Sequence, residues 1–359
     1  MGKLKDNKLY EEDIEYVAKL RLPWSKLKNS SIIISGATGM LGSFLIDVLS
    51  YKNINDGLNC HIYALGRNRD KAKKRFSDIY SADFFSFIEC DINDNSFTDK
   101  LPEKAGYVFH AASNTHPMAY ATDPIGTITA NIFATNNFLK YCSEKKVKRF
   151  VLASSNEIYG ENRKDTELFD ENYCGYINCN TLRAGYPESK RSSEALCQAY
   201  IAQKDVDAVI VRFTRSFGPT LLATDTKAMT QFLKNGINKE DIVLKSEGNQ
   251  YYSYTYMADA IAGMLTVMLK GQKGEAYNIA DESGDITLKD LAKYIANYSG
   301  TNVRFEIPDD VEKAGYSTAT KARLDGSKVK TLGWKANYEI GDAIERTIDI
   351  IKDTQPSYS

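Results

Sequence analysis

Within the stretch GYPESKR, residues 185–191, a tyrosine and a lysine stand four positions apart. On a helix over 183–203 that spacing puts Tyr186 and Lys190 on one face, one turn from each other. A phenol beside an ammonium is an acid/base pair, because the cation favours the phenolate and draws a tyrosine pKa down from about 10. The same spacing also occurs on solvated helical faces, so the elements around the pair decide its meaning.

A helix that presents such a pair to a reactant needs a rigid layer behind it, and the sequence supplies one. From Ser31 the apolar β-branched runs SIIIS, HIYAL, FFSFIE, YVFHAA, RFVLASS and DAVIVRF alternate with helical periodicities such as MLGSFLIDVLSY and IGTITANIFATNNFLKYC. Runs without polar alternation suit parallel strands buried on both faces. The expected fold is α/β: a Rossmann-type doubly wound parallel sheet with a smaller mixed C-terminal lobe. Residues 1–30 read as an N-terminal appendage, with one short amphipathic pattern at Ile14, Val17 and Leu20 that Pro23 ends. Residues 31–219 make the dinucleotide-binding domain with the acid/base pair. Residues 220–355, where the alternation weakens, make the smaller substrate-binding lobe over the crevice at the strand ends, its contacts interleaved with the first domain.

Directly after the first strand comes SGATGMLG, with Gly36, Gly39 and Gly42 spaced Gly-x-x-Gly-x-x-Gly where a helix begins. Glycine permits the tight turn and the close approach of backbone, and a helix N-terminus offers free N–H groups to a pyrophosphate. Thr38, Met40 and Leu41 belong to the same contact set. About 20 residues further on, where a ribose-binding acid is expected, stands Arg67; it either pairs with the 2′-phosphate of NADP or covers the adenine face. Asp91, followed by Ile92, is placed to accept from the adenine amine or to cap a helix. Ala111, Ala112 and Ser113 of HAAS supply small side chains beside the cofactor.

Composition narrows the chemistry. The 359 residues carry 46 Lys plus Arg against 47 Asp plus Glu, so no global basic field draws the chain to nucleic acid or anionic lipid. A small-molecule substrate is the better expectation. The six cysteines include no Cys-x-x-Cys pair, the first residues contain no apolar signal region, and no run approaches a membrane span, which together point to the cytoplasm. Three histidines, of which His110 and His116 flank a small-residue turn, are too few and dispersed for a metal site.

The motifs GATGMLG, HAAS, SSNEIYG (154–160), YPESK and RSFGP (215–219) stand in the order found in extended short-chain dehydrogenases/reductases. Over residues 31–350 the chain resembles their NAD-dependent nucleotide-sugar epimerase/dehydratase branch. The resemblance implies NAD as cofactor, with NADP kept open by Arg67, a nucleotide-sugar substrate, and a homodimer through helices 126–142 and 183–203, where Ile128, Ile132, Leu196 and Tyr200 face either a partner or the sheet. It implies Tyr186 as catalytic base, Lys190 as its cationic partner and Ser155 as the third member. Asn156 and Glu157 govern the step after oxidation at C4. Glu157 could handle a C5 proton or carboxylate or simply bond a backbone N–H, whereas Asn156 lacks the acid that a 4,6-dehydratase uses to expel a hydroxyl.

The segment around Arg183 is most similar to UDP-glucuronate decarboxylases. Two positions depart from that family, with Arg215 in place of an asparagine and Tyr252 in place of an arginine, so one phosphate-facing cation is lost and another gained. Lys321 and Arg323 fall where the family places a nucleotide- or carboxylate-binding cation, or in a surface patch. The leading expectation is a decarboxylase of a nucleotide-linked uronic acid working through a 4-keto intermediate. The alternatives are a 4-epimerase, then a 4,6-dehydratase, an NADPH-dependent keto-reductase, or a non-catalytic NAD(P)-binding scaffold or sensor.

Overall fold

The computed structural model describes residues 4–115, 120, 122–222, 225–306 and 321–354, which leaves His116 outside the described residues. Each apolar run becomes a strand: β1 (Ser31–Ser35), β2 (His61–Gly66), β3 (Phe85–Glu89), β4 (Tyr107–His110), β5 (Arg149–Ser155) and β6 (Ala208–Phe213). Seven further strands come after them: β7 (Arg215–Phe217), β8 (Ile242–Leu244), β9 (Tyr251–Tyr256), β10 (Ala276–Ile279), β11 (Asp285–Thr287), β12 (Val303–Phe305) and β13 (Lys321–Ala322). The large sheet is parallel throughout, in the order β10-β6-β5-β4-β1-β2-β3. Its strand order reverses between β1 and β4, where the ends of neighbouring strands leave a crevice.

Alternation along β1 divides the core into two layers. Ile32 and Ile34 point into a layer with Phe44, Val48 and Leu49 of the helix Met40–Asp56 and with the helix Met257–Lys270. Ile33 points the other way, onto Phe138 and Leu139 of the helix Pro124–Lys145 and Cys197 of the helix Gly185–Lys204. Buried on both faces, the strands need no polar side, which is why their sequences show none.

Two regions differ from the sequence expectation. Residues 4–30 are docked against the sheet domain: Tyr10, Ile14 and Val17 of the helix Lys8–Ala18 are buried in the first layer. Polar bonds seal that contact, since Asp13 accepts from the hydroxyls of Tyr256 and Tyr338 and from Arg346, while Asp259 accepts from the Tyr16 hydroxyl. The second difference is β10, from beyond residue 220, which adds an outer strand to the large sheet beside β6. Its short run, AYNI, looks like part of a lobe until the helix Met257–Lys270 is seen to carry the chain back across the sheet.

Of the remaining strands, β7, β11 and β13 surround β9 in a small sheet, β7 and β13 parallel to it and β11 antiparallel, while β8 and β12 pair in a separate two-stranded parallel sheet. A single residue, Thr214, separates β6 from β7. The chain therefore passes from the large sheet to the small one at Arg215.

Candidate active site

The glycine loop forms as the spacing predicts. Gly36 has φ +72°, the left-handed region open to glycine, and a Cβ there would lie 3.0 Å from the backbone of Ala112. A Cβ on Gly42 would stand 2.4 Å from the Gly36 carbonyl oxygen. Gly39 caps the helix Met40–Asp56 without any side-chain bond to its first turn, so those N–H groups face the crevice uncapped. Opposite, the backbone N–H groups of Ala111 and Ala112 each donate to Ser35 Oγ at 3.1 Å, and Ser35 Oγ lies 2.8 Å from His110 Nδ1. With two N–H groups donated to it, the Ser35 hydroxyl gives its own hydrogen to Nδ1. Burial and the Lys190 charge push the His110 imidazole down to about 3, so it packs as a neutral ring. This backbone cradle fits the pyrophosphate of a dinucleotide.

The other expected cofactor contacts spread along its rim. Thr38, Met40 and Leu41 lie in or just after the loop, half-buried, and the Met40 carbonyl accepts from Thr220 Oγ1 at 3.1 Å. Arg67 is exposed just beyond β2. Asp91 is exposed too, and its Oδ1 accepts the Asn93 N–H at 3.0 Å in a turn. Ile92 is partly buried against the second core layer, and Ser113 Oγ donates to the Asn114 carbonyl at 3.2 Å.

Ser155 ends β5 and caps the short turn Asn156–Tyr159, its Oγ accepting the Glu157 N–H at 3.2 Å. Tyr186 opens the helix Gly185–Lys204, hydrogen-bonds Ser155 and is 6% exposed. One turn on, Lys190 Nζ lies 5.9 Å from the centre of the Tyr186 ring and donates to the Ala153 carbonyl at 2.8 Å. Burial pushes the lysine down to about 8, with Glu194 acting against the shift.

Burial likewise pushes the Tyr186 phenol up to about 12, with the Ser155 hydrogen bond pulling the other way. The expectation that the pair alone lowers the tyrosine is thus corrected: desolvation wins, and the ammonium spends a hydrogen bond on the strand.

Glu157 and Arg183 meet beside this triad, the Arg183 Nη2 donating to Glu157 Oε2 at 2.6 Å. The Arg183 guanidinium lies 4.9 Å over the Tyr120 ring, and Tyr120 stacks on Tyr186 with 4.9 Å between ring centres. Asn156 is buried, its Oδ1 at 3.5 Å from Ser155 Oγ. Tyr252 is buried within electrostatic reach of Glu157 and Arg183, with the Arg215 guanidinium 3.5 Å over its ring. Ser155, Asn156, Glu157, Arg183, Tyr186, Lys190, Tyr252 and Arg215 therefore form one neighbourhood.

Arg323 does not join it. Its guanidinium covers Tyr251, the neighbour of Tyr252, and successive residues of a strand face opposite ways. There it pairs with Glu167 at 2.9 Å and reaches Asp285 at 3.7 Å, while Lys321 is exposed.

Sequence reasoning missed two supports. Tyr120 carries no motif, and nothing in its surroundings marks it. Glu194 could have been found, because it extends the four-residue spacing of Tyr186 and Lys190 by one turn. Its carboxylate takes two bonds from Arg212, at 3.0 and 2.6 Å, and one from Ser154, which ties the helix to β5 and β6 behind the triad.

The fold defines a Rossmann-type dinucleotide-binding scaffold. The chain belongs to the NAD dependent epimerase/dehydratase family, whose pattern matches residues 32–280, and NAD is its cofactor. It is similar to UDP-glucuronic acid decarboxylase 4 of Arabidopsis thaliana, 25% identical over 329 residues, 90% of this chain and 70% of that protein. Two solved structures share the fold. A double mutant of the dTDP-glucose 4,6-dehydratase DesIV of Streptomyces venezuelae, with NAD and DAU bound, has a TM-score of 0.77 at 20% identity, the match covering 90% of this chain and 98% of that one. The UDP-glucuronic acid 4-epimerase of Bacillus cereus with UDP-glucuronic acid and NAD scores 0.75 at 21% identity over 90% and 99%. Among the described residues no helix is long and apolar enough to cross a membrane, and no group of His, Cys, Asp and Glu is placed to hold a metal.

Proposed function

We propose that this protein decarboxylates a nucleotide-linked uronic acid, with UDP-glucuronic acid as the first candidate, through a sugar oxidised at C4. The observation that carries the reading is the Glu157–Arg183 pair set against Tyr186. With NAD as the hydride acceptor, oxidation of a hydroxyl requires no side chains beyond the triad, so a carboxylate and a guanidinium beside it serve a further step. The likeness to plant decarboxylases supports the same choice.

When bound, NAD supplies a hydride acceptor that later returns its hydride, and a positive charge near Tyr186. Gly36, Gly39, Gly42 and the helix N-terminus after them would hold its pyrophosphate. Tyr186 takes the C4 hydroxyl proton and Ser155 holds that oxygen, while the Lys190 cation together with the positive charge of bound NAD would offset the desolvation that raises the phenol. In the 4-keto sugar the C6 carboxylate is β to the carbonyl. When the C5–C6 bond breaks, its electron pair moves toward the C4 oxygen and CO2 leaves. The Tyr186 hydroxyl and Ser155 hydrogen-bond that developing oxyanion. Glu157, held by Arg183, orients the C5 side and is the candidate to manage the proton that replaces CO2.

A 4-epimerase is the second reading, favoured by Asn156: turning over a 4-keto sugar needs no acid at that position. Incubation of the NAD-loaded protein with UDP-glucuronic acid separates the two by product mass and NMR. Loss of CO2 is the expected result, and a product of unchanged mass with inverted C4 would make it an epimerase.

We also propose a cytoplasmic homodimer. The six cysteines are free thiols. Ile125 and Phe133 of the helix Pro124–Lys145 are 76% and 52% exposed, with Ile128 exposed near them and Ile132 half-buried, whereas Leu196 and Tyr200 pack against the second core layer. Light scattering at micromolar concentration tests it, a monomer mass being the contrary result.

A further inference from the structure

Among the described residues, every arginine that is not exposed pairs with a carboxylate, from Arg75 with Asp47 to Arg346 with Asp13, except one. The exception is Arg215. It is half-buried, its Nη1 is shut off from solvent without a hydrogen-bond acceptor, and its guanidinium rests 3.5 Å over the Tyr252 ring. An aromatic face offsets part of the cost of burying a cation, but it accepts none of the in-plane N–H bonds. A charged donor left unmatched beside a reaction centre calls for an anionic acceptor.

The carboxylate of this neighbourhood, Glu157, is already taken by Arg183, and Arg183 itself keeps Nε and Nη1 buried without an acceptor. The neighbourhood thus holds two guanidinium cations against one carboxylate, with three buried nitrogens still to be matched. Tyr252 is stacked against one cation and lies within reach of the other. Arg215 is also firmly placed, since it stands just past the end of β6, with only Thr214 between, and is paired in register with Tyr254.

We propose that Arg215 is the oxyanion receptor of the substrate site: its Nη1 takes an anionic oxygen of the ligand, a carboxylate on the sugar or a phosphate, while Tyr252 holds the guanidinium plane. This deepens the proposed function and takes its probes from that reading.

The test is calorimetric titration of the NAD-loaded protein and its Arg215→Gln variant with UDP, UDP-glucose and UDP-glucuronic acid. Retained NAD and an unchanged melting temperature certify the fold. The expected result is weakening by about tenfold or more, the scale of a lost charge-assisted hydrogen bond. Equal weakening of all three ligands assigns the phosphate; weakening of UDP-glucuronic acid alone assigns the sugar carboxylate. Equal affinity of wild type and variant for all three overturns the proposal. If the wild type binds none of them, the proposed function fails, and titration with inorganic pyrophosphate and with glucuronate decides this inference separately. Affinity for either that falls in Arg215→Gln supports it, and no difference overturns it. Should Arg215→Gln not fold, Arg215→Leu, which keeps an apolar stem on Tyr252, is read in the same way.

Discussion

The proposed cofactor wall and the proposed substrate wall of the crevice are built by different means. On the cofactor wall the working groups are backbone: three glycines, an uncapped helix start and the amides of Ala111 and Ala112 pinned on Ser35. On the substrate wall they are side chains that touch one another, Tyr120 on Tyr186, Arg183 on Tyr120 and Glu157, and Arg215 on Tyr252. A backbone site depends on where a Cβ is forbidden, and it serves any dinucleotide. A side-chain site depends on which charges are matched, and changing one residue redirects it. On the proposed assignment, the cofactor wall would mark the family and the substrate wall would set the individual reaction.

If the walls are separable, a substitution on one should leave the other's ligand in place. The largest effect is expected for Tyr186→Phe, which should cut turnover by about 10²-fold or more while NAD stays bound. Near-wild-type turnover would remove Tyr186 from the chemistry. Next comes Gly42→Ala. Its Cβ, 2.4 Å from the Gly36 carbonyl oxygen, must displace the loop at an overpacking cost of about 1–3 kcal/mol. NAD affinity should fall about tenfold or more, and measuring it by fluorescence of the reduced cofactor checks the loop directly.

A smaller effect is expected from Lys190, held down to about 8 by burial from its ordinary 10.5. The profile of kcat/KM against pH should show a descending limb near 8, where the ammonium is lost. Stability moves the opposite way. Between about pH 8 and 10.5 the unfolded chain binds a proton that the folded chain has lost, so folding stability on this account rises with pH, and Lys190→Met should flatten the rise. Urea melts at several pH values measure it. The smallest effect is expected for Arg323→Ala. That guanidinium is matched by Glu167 and Asp285 on the far side of β9, so substrate affinity should change by less than about twofold, the scale of a partly exposed ion pair. A large loss would place Arg323 in the site after all.

The sequence made the cofactor wall legible and the substrate wall only in part, for a physical reason. Glycine spacing at a strand–helix junction reports a local backbone conformation, and Gly36, Gly39 and Gly42 lie within seven residues of chain. The buried strands were likewise local patterns. The misplaced elements were those fixed by distant contacts: β10 gains its place from β6, and the first helix gains its burial from Asp13 reaching Tyr256, Tyr338 and Arg346. On the substrate wall, motif order brought Ser155, Glu157, Arg183 and Tyr186 together correctly. The side of β9 on which Arg323 falls depends on a register of one residue, which no local pattern reports. The tyrosine pKa was missed because a spacing of four describes proximity and says nothing of desolvation.

The central claim is that Glu157, held by Arg183, serves a step after the sugar is oxidised. Glu157→Gln, loaded with NAD and given UDP-glucuronic acid, tests it in one cuvette, with absorbance of the reduced cofactor and CO2 release followed together. The account predicts that reduced cofactor accumulates while CO2 release stops or falls steeply. CO2 release at the wild-type rate, with no reduced cofactor building up, would contradict it.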